Sequence, residues 1–139
     1  MLFIQNSRVI DPKTGTDAVL DLIIENGKIV DMGENLAERC QALASENGSS
    51  LQILDGKGLI TAPGFIDVHV HFRDPGFTYK EDIQTGARAA AAGGFTTVIC
   101  MANTKPPVDN VETLEYVIQE GKKTPINVLT AANITVGMK

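Results

Sequence analysis

The feature that most constrains the fold of this chain is a regular alternation of strand-like and helix-like segments after residue 60. Apolar, β-branched runs predict three strands, and longer runs with helical spacing predict two helices between them. Gly93 and Gly94 are expected to end the first helix, because glycine readily adopts the left-handed conformation of a helix end. The order strand, helix, strand, helix, strand predicts a parallel sheet. In chain order the segments are 65–71, 81–92, 95–101, 111–122 and 126–131.

Residues 1–60 have a different pattern, in which short strand-like runs are separated by turn residues. Asn26-Gly27 between two apolar runs is a strong hairpin signal. Leu36, Cys40 and Leu43 have helical spacing, and Asn35 is placed to cap that helix. This region therefore predicts a small antiparallel sheet with one helix. Its strand-like runs are 3–10, 19–25, 28–32 and 51–54, the last leading to 59–60.

These two patterns divide the chain into residues 1–60 and residues 61–139, and the second region is of the α/β class. A closed (β/α)₈ barrel takes roughly 250 residues, so three strands cannot close one. Either the sheet is small and open, or the region is the beginning of a barrel that this chain leaves incomplete.

His69 and His71 are the only histidines, and they stand two residues apart at the end of a predicted strand. Side chains alternate between the two faces of a strand, so both imidazoles and Asp67 share one face. Two structural histidines are the ordinary explanation of such a pair, and two ligands to one metal ion are the other. The nearby Arg73 and the flanking Pro-Gly turns make a dense polar cluster, which favours the metal site.

Other polar residues follow the next two strands. Asn103 comes after the second strand of the parallel sheet and Asn133 after the third. Chemistry in parallel α/β proteins collects at the carboxyl ends of the strands, where Arg73 also lies. The sequence thus predicts a single site at that edge.

Composition limits the class of partner. The net charge of −5 argues against nucleic acid and anionic membrane surfaces, which reward a basic face. The apolar runs are too short for a membrane span, and the N-terminus lacks the pattern of a secretory signal, so a cytoplasmic protein is expected. In that compartment Cys40 and Cys100 are interpreted as buried, reduced thiols, although the sequence does not by itself decide against a disulfide.

Three stretches together resemble dihydroorotases, in particular the bacterial class within the amidohydrolase superfamily. The resemblance extends from Met1 to Lys139, and it implies that residues 1–60 are part of a small β-sandwich and residues 61–139 the first three βα units of a TIM-like metal-dependent hydrolase barrel. The stretches are Pro63 to Gly76, Lys80 to Gly86 with Ala89 to Thr97, and Met101 to Thr104 with Pro106.

The resemblance also implies roles for individual residues. His69 and His71 match two zinc ligands, while His71, Arg73 and Asn103 match residues that bind the substrate. An arginine fork and an asparagine amide suit a carboxylate, and relatives that cleave rings without this carboxylate generally have another residue in place of the arginine. Asp67 is expected to orient an imidazole or to close the barrel floor, and not to bind the metal itself. Asp74 is interpreted as shaping the Asp-Pro-Gly turn.

The implied reaction is the reversible cyclisation of N-carbamoyl-L-aspartate to dihydroorotate in pyrimidine synthesis, with one or two zinc ions. Dihydroorotases are longer chains that supply further histidines and a general acid–base aspartate from later strands, and no histidine follows His71 here. We therefore expect the catalytic aspartate beyond residue 139, and a fragment that binds zinc weakly and is inactive alone.

Three further expectations follow from this interpretation. The open sheet edges of a fragment favour self-association as a homo-oligomer, or disorder in parts of the chain if it is monomeric. Another cyclic amidohydrolase, of the hydantoinase or allantoinase type, is the alternative enzyme. A non-catalytic scaffold that partners a transcarbamoylase is the alternative outside enzymes, although such a scaffold has no physical need for His69, His71, Arg73 and Asn103 together.

Overall fold

The computed structural model describes the backbone of residues 1–139 and every side chain except that of Met138. The chain forms two compact units, Met1–Pro63 and Gly64–Lys139. No helix in the described part of the chain is long and apolar enough to cross a membrane.

The first unit contains five strands and one helix. Its core is formed by Phe3, Ile23 and Cys40, which are almost completely buried. Leu36 and Leu43 pack against this core, so the helical spacing that the sequence indicated is confirmed. The elements are β1 (Leu2–Asp11), β2 (Thr16–Glu25), β3 (Lys28–Gly33), α1 (Ala37–Glu46), β4 (Gln52–Asp55) and β5 (Ile60–Thr61).

The sheet of this unit is mixed, so the prediction of an antiparallel sheet is only partly correct. β1 pairs antiparallel with β2, and β2 pairs antiparallel with β3. The tight turn between β2 and β3 is the predicted Asn26-Gly27 hairpin, in which both residues have positive φ. β4 and β5, however, run parallel to β1. Apolar alternation identifies a strand but not its direction, and the helical connection through α1 returns the chain in the parallel sense.

The prediction that Asn35 caps α1 is wrong. The helix begins at Ala37, and its N-cap position is Leu36, which makes no side-chain cap bond. The carboxylate of Asp21 replaces the cap: its Oδ2 accepts from the backbone N–H of Leu36 at 3.0 Å, and its Oδ1 accepts from that of Asn6 at 2.9 Å. Asp21 therefore joins the irregularity in β1 to the start of α1.

The second unit confirms the predicted order of strand and helix. Its three strands form a parallel sheet in the order β6-β7-β8. The elements are β6 (Phe65–Val70), α2 (Ile83–Ala92), β7 (Phe95–Cys100), α3 (Val111–Gly121) and β8 (Asn127–Thr130), followed by a 3₁₀ turn (Val136–Met138).

The two helices begin at side-chain caps. α2 starts two residues later than predicted because Asp82 is its N-cap, with Oδ1 accepting from the backbone N–H of Thr85 at 2.7 Å. Asn110 caps α3 in the same way, with Oδ1 accepting from the backbone N–H of Thr113 at 2.9 Å. α2 ends as predicted before the two glycines, and Gly94 has φ of +84°.

The core of the second unit lies between the sheet and these helices. Phe72, which directly follows the histidine pair, is buried in it against α2. A Cβ at Gly86 would overlap the Phe72 ring, so the helix needs glycine at this contact. The buried members of this core are Phe72, Ile83, Ala87, Val98, Cys100, Ala102, Val108, Val117 and Val128.

Gly86→Ala should lower the free energy of unfolding by about 1–3 kcal/mol, because the added methyl overpacks the contact with Phe72. Helix propensity alone predicts the opposite sign, a gain of about 1 kcal/mol. Urea denaturation followed by circular dichroism measures the change. Arg88→Ala, at an exposed position of α2, is the matched control and should change stability by less than about 0.5 kcal/mol. A more stable Gly86→Ala variant would contradict the described packing.

Asp21→Asn should destabilise the first unit by about 1–3 kcal/mol, since an amide oxygen can replace only one of the two acceptor atoms. The same denaturation experiment measures it. Asp17→Asn is the control, because its ion pair with Arg8 is exposed and should contribute less than about 1 kcal/mol. Equal losses of stability in the two variants would show that the buried bonds of Asp21 contribute no more than the exposed ion pair.

Candidate metal and substrate site

The two histidines lie at the carboxyl end of β6. His69 is on the strand and His71 is the first residue after it. Their ring centroids are 5.2 Å apart with the planes at 67°, so the predicted placement of both imidazoles on one face is confirmed. Both rings are exposed, which leaves them accessible to an ion or a small molecule.

The parallel partner strand brings Asn103 to this pair. β7 ends at Cys100, and Val70 pairs with Cys100 in the register of the sheet. From the loop that follows, Asn103 Oδ1 lies 3.0 Å from His71 Nδ1. Because a carbonyl oxygen can only accept, Nδ1 of His71 is the donor, and in the neutral imidazole Nε2 is then the nitrogen that carries the free lone pair. An imidazole held in this way presents Nε2 to a metal ion.

Asp67 contacts the backbone of the histidine pair. Its Oδ1 accepts from the backbone N–H of His69 at 3.0 Å. This contact joins the Asp67 side chain to the end of the strand on which His69 lies.

The histidine pair supplies only part of a metal site. Among the residues that the structure describes, no group of three or more His, Cys, Asp or Glu side chains is arranged to hold a metal ion. The neighbouring Cys100 is a poor ligand, since burial raises the pKa of its thiol to about 11 and keeps it protonated. Cys40 is also a buried thiol, as the sequence indicated.

Arg73 begins the turn after the histidines, and its backbone is unusual. Its φ is +63°, a left-handed conformation that residues other than glycine adopt rarely. The chain alternates here between accessible and buried positions: Phe72 and Asp74 are buried, and the half-buried Arg73 stands between them. Such strain at a non-glycine residue is found mainly at functional sites.

Sequence reasoning missed the contacts of Asp74. The carboxylate is buried, and its Oδ1 accepts from the Tyr116 hydroxyl at 2.9 Å. Its Oδ2 has a longer contact, 3.4 Å, with the backbone N–H of Ile83 at the start of α2. Tyr116 is 42 residues away along the chain, so no local pattern connects it with the turn.

Asn133 follows β8 at the carboxyl edge of the sheet, as the sequence predicted. Its backbone N–H donates to the carbonyl of Val108 at 2.7 Å, so the loop after β8 is tied to the loop after β7. The side-chain contacts at this edge join His71 to Asn103, and Arg73 follows His71 by two residues.

Comparison with known proteins identifies relatives of this chain. A model of dihydro-orotase-like proteins matches residues 58–139. The chain is 53% identical over 139 residues to a dihydroorotase of Clostridioides difficile, with 100% of this chain and 31% of the relative covered. It is 50% identical over 135 residues to a dihydroorotase of Streptococcus pneumoniae, with 97% of this chain and 30% of the relative covered.

A solved structure supports the same class of fold. The L-hydantoinase (dihydropyrimidinase) of Arthrobacter aurescens superposes with a TM-score of 0.71 at 22% identity, over 99% of this chain and 28% of the hydantoinase. At this identity the likeness concerns the fold alone.

The chain spans about 30% of the length of the dihydroorotases it matches. The family model covers more than half of the chain, and the match to the relatives runs through both of its units. On this evidence the chain belongs to the dihydroorotase-like family.

Proposed function

We propose that the whole protein containing this chain is a dihydroorotase, which interconverts N-carbamoyl-L-aspartate and dihydroorotate. The observation that carries the proposal is the cluster of His69, His71 and Asn103 beside the strained Arg73 turn, in a chain about half identical to proteins named dihydroorotase. The amidohydrolase-like fold of the second unit would then be the beginning of a barrel, and the first unit part of a β-sandwich.

Zinc fits the donors that this chain offers. Imidazole nitrogens are common zinc ligands, and His69 and His71 present two of them on one face. When bound, zinc supplies an activated water and polarises the amide carbonyl of the ring. The remaining ligands, and the aspartate that transfers protons, would come from other parts of the whole protein. The complete site, with one or two zinc ions, would therefore form only in the whole protein.

Arg73 and Asn103 would bind the free carboxylate of the substrate. A guanidinium offers two parallel N–H donors that match a carboxylate, and it stays charged at all physiological pH values. The amide nitrogen of Asn103 is available as a donor because its oxygen faces His71. Asn103 would thus connect the metal-binding histidine with the substrate-binding group.

The alternatives differ in what they require of these residues. A hydantoinase acts on rings that lack this carboxylate, so it has no use for the arginine. A scaffold without catalytic activity needs neither the histidines nor the arginine. We therefore favour a dihydroorotase, and we expect it to be a cytoplasmic enzyme. We also propose that the whole protein forms a homo-oligomer or associates with a transcarbamoylase. Sedimentation of the whole protein would test both assemblies.

Substitution of Arg73 tests the substrate. In the whole, zinc-loaded protein, Arg73→Gln should reduce kcat/KM for dihydroorotate by the equivalent of about 2–5 kcal/mol, because the substrate carboxylate loses its charged partner. Initial rates of ring opening measure the effect. Arg88→Gln, on the exposed face of α2, is the control and should leave the rate unchanged. If the unsubstituted protein opens hydantoin faster than dihydroorotate, the proposal is wrong.

Substitution of Asn103 tests the connection to the metal site. Asn103→Ala should weaken zinc binding by about 10-fold or more, since His71 loses the partner that fixes its tautomer and orientation. Competition with a chelator of known affinity measures the change, and His71→Ala should weaken binding further. Asn127→Ala is the control, because Asn127 bonds to Thr97 on the sheet. An unchanged zinc affinity in Asn103→Ala would show that Asn103 does not contribute to metal binding.

A further inference from the structure

The turn at Arg73 holds a conformation that its own sequence disfavours. A left-handed arginine persists only where surrounding contacts determine the backbone on both sides. On the preceding side Phe72 is 8% exposed and packs against Gly86. On the following side Asp74 is 9% exposed. The position of Arg73 therefore depends on the two buried residues that flank it.

Asp74 is held by polar contacts, whereas Phe72 is held by packing. Buried carboxylates need donors, and the shorter of the two contacts to Asp74 comes from the Tyr116 hydroxyl at 2.9 Å. Burial and the Asp74 carboxylate raise the pKa of Tyr116 to about 12, so the hydroxyl keeps its proton and remains a donor at neutral pH. Through this hydrogen bond, α3 contacts the turn that contains Arg73.

The same turn is tied to the loop that carries Asn103. The backbone N–H of Lys105 donates to the carbonyl of Pro75 at 3.0 Å. Gly76 has φ of +93° and lies so close to the Lys105 backbone that a Cβ would overlap it. Within the turn, the backbone N–H of Phe77 donates to the carbonyl of Arg73 at 2.9 Å. The turn that contains Arg73 and Asp74 is therefore packed directly against the loop of Asn103.

We propose that Asp74 and Tyr116 are positioning residues, which hold Arg73 in its left-handed conformation and so set the affinity for the substrate carboxylate. The inference rests on the proposed function and adds two residues to it. Neither residue contacts the reacting atoms in this interpretation, because both act through the backbone of Arg73. The expected signature is a change in KM with little change in kcat.

Tyr116→Phe is the decisive variant, because it removes one hydroxyl from a side chain that is already 42% exposed and leaves the ring in place. In the whole, zinc-loaded protein we expect KM for dihydroorotate to rise about fivefold, as suits the loss of one hydrogen bond of typical net strength, with kcat within about twofold. Hydrogen exchange, measured by mass spectrometry on peptides that contain Phe77, should become faster, since its amide bonds to Arg73. Zinc content should not change.

Two further variants separate positioning from general destabilisation. Tyr79→Phe changes the other tyrosine, which is 78% exposed, and should alter neither KM nor exchange. Asp74→Asn keeps an oxygen that can accept from Tyr116, so its KM should rise less than that of Asp74→Ala.

The outcomes distinguish this inference from the proposed function. If the unsubstituted protein does not turn over dihydroorotate, the proposed function and this inference both fall. If it does, and Tyr116→Phe leaves KM and the exchange of Phe77 unchanged, only the inference is overturned. A fall in kcat at constant KM would also count against it, because positioning of the carboxylate-binding group acts on substrate affinity.

Discussion

Parallel pairing of β6 with β7 is the constraint on which the site depends. Parallel strands end at the same edge of a sheet, and the pairing of Val70 with Cys100 brings the two following loops together. The backbone N–H of Met101 extends this pairing by donating to the carbonyl of Val70 at 2.9 Å. As a result, His71 and Asn103 lie within hydrogen-bond distance although 32 residues separate them. The two helices pack against the sheet and share its core.

In the segment after β6, accessible residues alternate with buried ones. The accessible His71 and the half-buried Arg73 are each followed by a buried residue that anchors the chain. Phe72 is anchored by close packing against Gly86, and Asp74 by the hydroxyl of Tyr116. Polar side chains at an exposed edge lose conformational freedom when they bind a ligand, and anchored neighbours reduce that loss. Preorganisation of the site therefore begins in the core.

Much of this arrangement was predictable from local sequence. The alternation of apolar runs identified the strands of both units, and the spacing of His69 and His71 placed both rings on one face. The predictions that were wrong or incomplete concern partners. Asn35 has the residue type of a cap, but the carboxylate of Asp21 bonds to the start of α1. The direction of β4 depends on the path of α1, and apolar periodicity carries no information about it.

The sequence by itself determined the elements, the parallel order of the second unit and the residue types of the candidate site, because strand and helix periodicity and ligand chemistry are local properties. Only the tertiary structure decided which atoms meet. It assigned Asn103 to His71 Nδ1, Asp67 to the backbone of His69, and Tyr116 to Asp74. Hydrogen bonds require donor and acceptor within about 3 Å, a condition that depends on the packing of elements distant in sequence and leaves no signal in either segment alone.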